Sequence, residues 1–284
     1  MKRLLPTLKA YGSLFKSLQT LLLTVTGVAG FMTTRCPISH WSIMVGLVFS
    51  LFAAIAGSTV LNMWYDRDID QVMSRTHHRP LAQGTINPEK VLWLGIILSL
   101  LGVGIGWLLS PLYSFILLLG IAFDFLVYTL WLKRRTCWSI VWGGIAGGMP
   151  ILAGRALGLG YIDPIGILLT LSVLFWIPTH ILTFSIHYAD DYAAANIPTF
   201  PSTYGTQFTR RTIALSTVIA AALISAAAIL IQVSDGFLHL LGILSGILVM
   251  FTLYMLLKPT RSANFSLFKF ASVYMLAAML LLAI

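Results

Sequence analysis

Residues 41–80 read WSIMVGLVFSLFAAIAGSTVLNMWYDRDIDQVMSRTHHRP. From Trp41 to Asn62 the run is apolar and uncharged, long enough to cross a hydrocarbon layer of about 30 Å as a helix. Charge then arrives at once as Asp66-Arg67-Asp68-Ile69-Asp70, followed by Arg75, Arg79 and Pro80, where such a helix leaves the bilayer. If the helix continues, Asn62, Asp66 and Asp70 fall at i, i+4 and i+8 and share one face. One amide and two carboxylates are the hard oxygen ligands that Mg²⁺ prefers. Arg75 and Arg79 add guanidinium forks that match diphosphate oxygens. A solvated juxtamembrane loop is the plainer reading of the same residues.

The rest of the chain repeats the apolar run. It has 284 residues, 58% hydrophobic and only 10% charged, with a mean hydropathy of +0.90. Repeated spans of that length indicate an all-α, polytopic membrane protein built as a nine-transmembrane-helix bundle. The spans are expected at 17–34, 41–62, 89–109, 111–132, 138–157, 164–188, 211–232, 236–257 and 264–284, in one transmembrane unit covering 1–284. Asn87-Pro88-Glu89 reads as a helix start, and Gly143-Gly144, Gly147-Gly148 and Pro150 allow close helix approach or a broken helix. No short apolar segment with a small-residue cleavage site opens the chain, so no cleaved signal is expected.

The formal charge of +9 does not point to nucleic acid, because the basic residues are scattered between hydrophobic spans. Nine spans place the N-terminal segment, the 66–90 loop, Lys133 to Arg135, Arg210 and Arg211, and Lys258 and Arg261 on one side. That side holds fifteen of the 18 Lys and Arg, so it is expected to be cytoplasmic in a cell membrane. Arg35 and Arg155 fall opposite, and Lys269 lies within the last span. Cys36 and Cys137 fall on opposite sides, which excludes a disulfide or metal pair.

The second long polar loop, 190–209, opens on the same side as the first and begins with Asp190-Asp191. These are either a second metal-binding pair or solvated helix-end acids. Lys133 and Arg134 are either phosphate-neutralising groups or ordinary helix-end cations. His180 and His187 share a helical face with Phe184 between them. His180 either hydrogen-bonds a neighbouring helix or meets an acceptor substrate. Asp124, mid-span with Tyr128 one turn later, is a functional candidate because an intramembrane carboxylate is costly; a structural hydrogen bond would also account for it. Trp64, Tyr65, Trp131, Trp142 and Trp176 fit interfacial belts or packing.

The run from Asn62 to Leu81, N-x-x-x-D-R-D-I-D-x-x-M-x-R-T-x-x-R-P-L, resembles the intramembrane prenyltransferases of the UbiA superfamily. Its wording at Met73, Arg75, Thr76, Arg79, Pro80 and Leu81 is similar to the protoheme IX farnesyltransferase (heme O synthase) branch. So are Tyr128-Thr129 with Leu132-Lys133-Arg134 and Thr136, the Gly143 to Pro150 stretch, Trp176-Ile177-Pro178-Thr179-His180, and Asp190-Asp191-Tyr192 with Ile197-Pro198 and Pro201. The likeness covers residues 17–280. The chain departs from that wording at Thr179, His187-Tyr188-Ala189 and Thr199-Phe200.

The resemblance implies Mg²⁺-dependent (or Mn²⁺-dependent) transfer of farnesyl from farnesyl diphosphate to a vinyl group of heme b, which is substrate rather than cofactor. It implies metal ligands among Asn62, Asp66, Asp70, Asp190 and Asp191, catalytic roles for Asp66, Asp70 and Lys133, and substrate contacts from Asn62, Arg75, Arg79, Tyr128, Arg134 and His180. The implied partners are the lipid bilayer and a downstream heme-modifying enzyme or terminal oxidase assembly. Rival readings are a prenyltransferase with a quinone-precursor or lipid acceptor, a heme or ion transporter, and a non-catalytic assembly protein.

Overall fold

The computed structural model describes residues 12–15, 17–35 and 41–284. Lys2, Arg3, Lys9, Lys16 and Cys36 lie outside the described residues, and so do the expectations that rest on them. The helices run in order α1 (Ser17–Met32), α2 (Trp41–Tyr65), the short α3 (Arg67–Val72), α4 (Pro88–Leu109) and α5 (Pro111–Ile121). α5 widens into a π-helical segment (Ala122–Leu132). There follow α6 (Ser139–Leu159), α7 (Pro164–His187), the short α8 (Ala189–Ala194) and α9 (Phe200–Tyr204), then α10 (Thr206–Ile231), α11 (Asp235–Leu257) and α12 (Arg261–Ala283). Among the described residues the chain is helical throughout, with no strand.

Eight of these helices are long and apolar enough to cross a membrane, counting α5 with its π segment as one. α1 is apolar but has 16 residues, about 24 Å at the α-helical rise, which is shorter than a full crossing. The nine expected spans therefore comprise eight membrane-length helices and one shorter apolar helix. α10 starts at Thr206 rather than 211, because Gly205 takes a positive φ of 82° and turns the chain directly into the helix. Arg210 and Arg211 are thereby drawn into its first two turns.

Three helix starts show why the boundaries fall where they do. Asn87, Ser110 and Asp163 each accept a backbone N–H of the first turn, and each is followed by a proline whose missing N–H costs nothing there. Close helix approach needs residues without side chains. A Cβ on Gly154 in α6 would lie 1.8 Å from the Gly27 carbonyl oxygen of α1, and one on Gly102 in α4 would lie 2.4 Å from the Ala54 nitrogen of α2. Pro150 sits inside α6, which continues through it, so the glycines of that helix serve close packing rather than a break.

Both long polar loops lie at one end of the bundle and are pinned to each other. Ile69 and Met73 pack with Ile197 and Tyr192, and Asp191 accepts hydrogen bonds from the Ser74 N–H and hydroxyl and from the Arg75 N–H. At the opposite end Arg35 donates to the Gln232 carbonyl (2.7 Å).

Candidate functional site

The helix of α2 does run on toward the acidic motif. The Asp66 N–H bonds the Asn62 carbonyl and the Asp70 N–H bonds the Asp66 carbonyl, both at 2.9 Å, so the i, i+4, i+8 row forms as its spacing requires. Asp66 and Asp70 are each only 6% exposed. Both are buried against cations. Lys133 Nζ donates to Asp66 Oδ2 in a short charge-assisted contact, and Arg134 stands 3.8 Å from Asp66 Oδ1. Arg79 Nη1 donates to Asp70 Oδ2 (2.7 Å). Arg134 grips the exposed Asp68 with both fork nitrogens at 2.7 Å and stacks over Tyr65. That hydrogen bond from Arg134 holds the Asp68 carboxyl below its ordinary range.

Asp66 Oδ1 is buried and has no hydrogen-bond partner. A buried carboxylate oxygen left over is costly unless something completes it. A hard divalent cation fits that oxygen and its neighbour Asp70, with the surrounding guanidinium and ammonium groups available for the anion such a cation carries.

Asn62 occupies a different position in the network. Its amide nitrogen donates to Asp124 Oδ2 (2.8 Å), and its oxygen accepts from Thr129 Oγ1 (2.6 Å). Ser58 also donates to Asp124 Oδ2 (2.6 Å). This arrangement depends on the π segment. With 3.6 residues per turn, nine residues make about two and a half turns, and Lys133 would emerge opposite Asp124. The i→i+5 bonding, seen in the Lys133 N–H to the Tyr128 carbonyl (2.8 Å), makes those nine residues about two turns instead. Asp124, Thr129 and Lys133 consequently all turn toward α2. Nothing in the sequence marks that change of period, so the contact of Thr129 with Asn62 was not legible although Tyr128-Thr129 belongs to the resemblance, and Ser58 gave no signal.

Below this cluster lies a chamber of about 580 Å³ lined by α1, α2, α5 with its π segment, α6, α7 and α12. The volume is in the range of small-molecule sites, about 300–1,000 Å³. Asp124, Ser58 and Tyr128 line its polar end, and aliphatic side chains line most of the rest. Gly143 makes room for Tyr128, since a Cβ there would lie 2.9 Å from the ring. On the α7 side the wall is flat and aromatic. His180 is stacked between Trp176 (4.8 Å between ring centres) and Phe268 (4.6 Å), with Ser272 Oγ 3.2 Å from its Nδ1. The sequence singled out His180; its partners Phe268 and Ser272 come from α12, whose plain apolar sequence gave no signal.

The two aspartates of the second loop part company. Asp191 turns inward to bind Ser74 and Arg75, and the Ser74 hydroxyl holds its carboxyl below the ordinary range. Asp190 points out, its side chain 89% exposed, 3.7 Å from Arg261. Adjacent residues on a helix project about 100° apart, so one loop position cannot aim both at the cluster. Among the described residues no three His, Cys, Asp or Glu side chains gather as one metal-holding group. Of the five residues expected to hold a metal, Asp66 alone keeps a buried carboxylate oxygen without a hydrogen-bond partner; Asp70 is paired with Arg79, Asn62 is engaged by Asp124 and Thr129, Asp191 by the facing loop, and Asp190 lies at the surface. Arg75 also stands apart from Arg79: its guanidinium lies over the Phe184 (5.0 Å) and Tyr188 (5.6 Å) rings.

Membrane-length helices around an apolar chamber, with buried carboxylates and cations clustered beside its polar end, define a multi-pass membrane protein with an internal polar site. The sequence pattern of the UbiA prenyltransferase family matches residues 21–276, and the chain belongs to that family. It is 36% identical over 270 residues to a protein of Archaeoglobus fulgidus named protoheme IX farnesyltransferase, covering 94% of each chain. It is 40% identical over 206 residues to a protein of that name from Korarchaeum cryptofilum, covering 72% of this chain and 69% of the relative. Among solved structures, a digeranylgeranylglyceryl phosphate synthase matches with a TM-score of 0.80 at 20% identity, over 97% of both chains. A UbiA homolog from Archaeoglobus fulgidus, bound to GPP and Mg²⁺, matches with a TM-score of 0.70 at 15% identity, over 97% of this chain and 100% of that one. At those identities the likeness is one of fold.

Proposed function

We propose that this chain transfers the farnesyl group of farnesyl diphosphate to a vinyl carbon of heme b, giving heme O, with Mg²⁺ (or Mn²⁺) as the metal and the site at the cytoplasmic end of the bundle in a cell membrane. The observation that carries the reading is the apolar chamber whose polar end, at Asp124, Ser58 and Tyr128, adjoins the buried ion pairs of Asp66 and Asp70 with Lys133, Arg134 and Arg79. The acceptor follows from the name shared by relatives that match the chain nearly end to end.

Asp66 and Asp70 are the residues that would hold the metal, and its chemistry there is to neutralise the diphosphate and make it a better leaving group. Arg79, Lys133 and Arg134 rest on carboxylates in the structure and can turn their donors to diphosphate oxygens, where the added charge is stabilised as the carbon–oxygen bond breaks. Tyr128, whose ring lies 5.6 Å from Lys133 Nζ, separates this charged layer from the chamber. The farnesyl chain occupies the apolar chamber, which keeps bulk water from the allylic cation. The terminal vinyl carbon attacks that cation, a carbon–carbon bond forms, and the positive charge moves to the carbon beside the macrocycle. Water adds there and releases a proton. The Trp176, His180 and Phe268 rings offer the flat surface that a planar acceptor stacks on.

The test is an assay of the purified protein in lipid nanodiscs with heme b, farnesyl diphosphate and Mg²⁺. The expected product exceeds heme b by the mass of one farnesyl group and one hydroxyl. Prenylation of a quinone precursor or lipid head group instead, with heme b untouched, would reassign the acceptor. Absence of any prenyl transfer would overturn the enzyme reading.

A further inference from the structure

The cations at the polar end are not equivalent. Arg79, Lys133 and Arg134 each touch a carboxylate of the Asp66–Asp70 stretch. Arg75, four residues before Arg79, makes no ion pair among the described residues. Its backbone N–H bonds Asp191 and aims the side chain the other way, over Phe184 and Tyr188.

Those two rings belong to a longer stripe. Trp176, His180, Phe184 and Tyr188 recur every four residues along α7 and its end, spanning about 18 Å of helix rise. Phe268 of α12 fills in beside them, 4.6 Å from His180 and 5.4 Å from Phe184. An aromatic wall therefore leads from the chamber, which it lines at Trp176, His180 and Phe268, outward to the Arg75 guanidinium. Two polar atoms at its outer part are buried without a hydrogen-bond partner: Arg75 Nε and His187 Nδ1. His187 stacks on Phe265 (4.4 Å), next to Tyr188. A half-buried guanidinium with an orphaned donor, at the end of a flat apolar wall, is built for a carboxylate carried by a planar ring system.

We infer that Arg75 is the anion seat of the acceptor, taking a ring-borne carboxylate, and that the diphosphate is left to Arg79, Lys133 and Arg134. The inference rests on the acceptor reading above: heme b carries two propionate carboxylates, and one of them would meet Arg75 while the macrocycle lies against His180. It assigns a specificity-determining contact, since a flat acceptor without a carboxylate leaves this guanidinium unpaired.

The experiment uses the full chain in nanodiscs and titrates heme b and its dimethyl ester by absorbance, beside a non-hydrolysable farnesyl thiolodiphosphate with Mg²⁺. Wild type should bind heme b at least about tenfold tighter than the ester. Arg75→Met should bind the two within about threefold of each other, and should keep its affinity for the thiolodiphosphate within about threefold of wild type. Arg79→Met should show the reverse, losing the thiolodiphosphate while retaining the preference for free carboxylates. Arg75→Met that keeps the preference, or that loses the thiolodiphosphate instead, overturns the inference, as does a wild type indifferent to esterification. Wild type that binds the thiolodiphosphate but no heme at all refutes the acceptor reading itself and this inference with it. Retained thiolodiphosphate binding in Arg75→Met, and retained heme b binding in Arg79→Met, report that each variant has folded.

Discussion

The two ends of this bundle each bury an aspartate against basic side chains, and they do so in opposite ways. At one end Arg155, in α6, donates through Nε and Nη2 to both oxygens of Asp163 at 2.8 Å, and through Nη1 to the Thr33 carbonyl and hydroxyl. Asp163 also takes the Gly166 N–H as a helix cap. Neither residue has a buried polar atom left over. At the other end Asp66 Oδ1, Arg75 Nε and His187 Nδ1 are buried with no partner. A closed network ties α1, α6 and α7 together; an open one has capacity for something else. The distinction lies in what remains unsatisfied, since charge and burial alone are similar.

The largest effect that would sharpen this contrast is at the open end. Asp66→Ala or Asp70→Ala should reduce prenyl transfer by about a thousandfold or more, about 4 kcal/mol of barrier, while the melting temperature in nanodiscs stays near wild type. Turnover close to wild type in either variant would mean that the open end is merely a surface. Next comes the closed end. Arg155→Met leaves Asp163 buried and unpaired, and should cost about 3–5 kcal/mol of stability, read as a large drop in melting temperature. The Arg155→Met, Asp163→Leu pair should recover much of it, and the folded fraction should transfer prenyl groups at the normal rate. Loss of activity out of proportion to folding would break the division between the two ends.

A smaller effect is expected from the layer between. Thr129→Val removes the donor to the Asn62 oxygen, leaves Asn62 held by Asp124 alone, and should slow transfer roughly tenfold, about 1.4 kcal/mol. A rate unchanged in Thr129→Val would make the π segment a packing detail. The smallest is a pH effect on the loop pin. The Asp191 carboxyl is held below its ordinary value by Ser74, so its contribution is fully present above the ordinary carboxylate range and is lost as pH falls through the lowered value. Proteolysis at Arg75 should therefore stay slow until below about pH 4, and Ser74→Ala should move that onset upward. An onset that does not respond to Ser74→Ala would remove Asp191 from the pin.

The helices were legible in the sequence because their signals are local. Asn87-Pro88 and Asp163-Pro164 each carry a side-chain cap and a proline, and the apolar run from Trp41 has only one way to cross a bilayer. The Asp66–Asp70 row was legible for the same reason, since α-helical spacing is enough to align it. Three features were not. The alignment of Asp124 with Lys133 needs a π-helical period that no residue type specifies. Arg75 and Arg79 look like a pair at i, i+4, but the chain between them is a series of turns, with the Thr76 and His77 N–H groups both returning to the Met73 carbonyl, so the helical rule does not apply. Asp190 and Asp191 are neighbours, and only the tertiary contact with Ser74 decides which one faces inward.

The central claim is that the open end is where a divalent cation and a prenyl diphosphate bind together. Calorimetric titration of the intact protein with farnesyl thiolodiphosphate, in Mg²⁺ and again in excess EDTA, tests it without depending on the acceptor. Tight binding in Mg²⁺ that weakens at least about a hundredfold in EDTA, and equally in Asp66→Ala, is the predicted result. Equal affinity with and without the metal, or undiminished binding by Asp66→Ala, would contradict it.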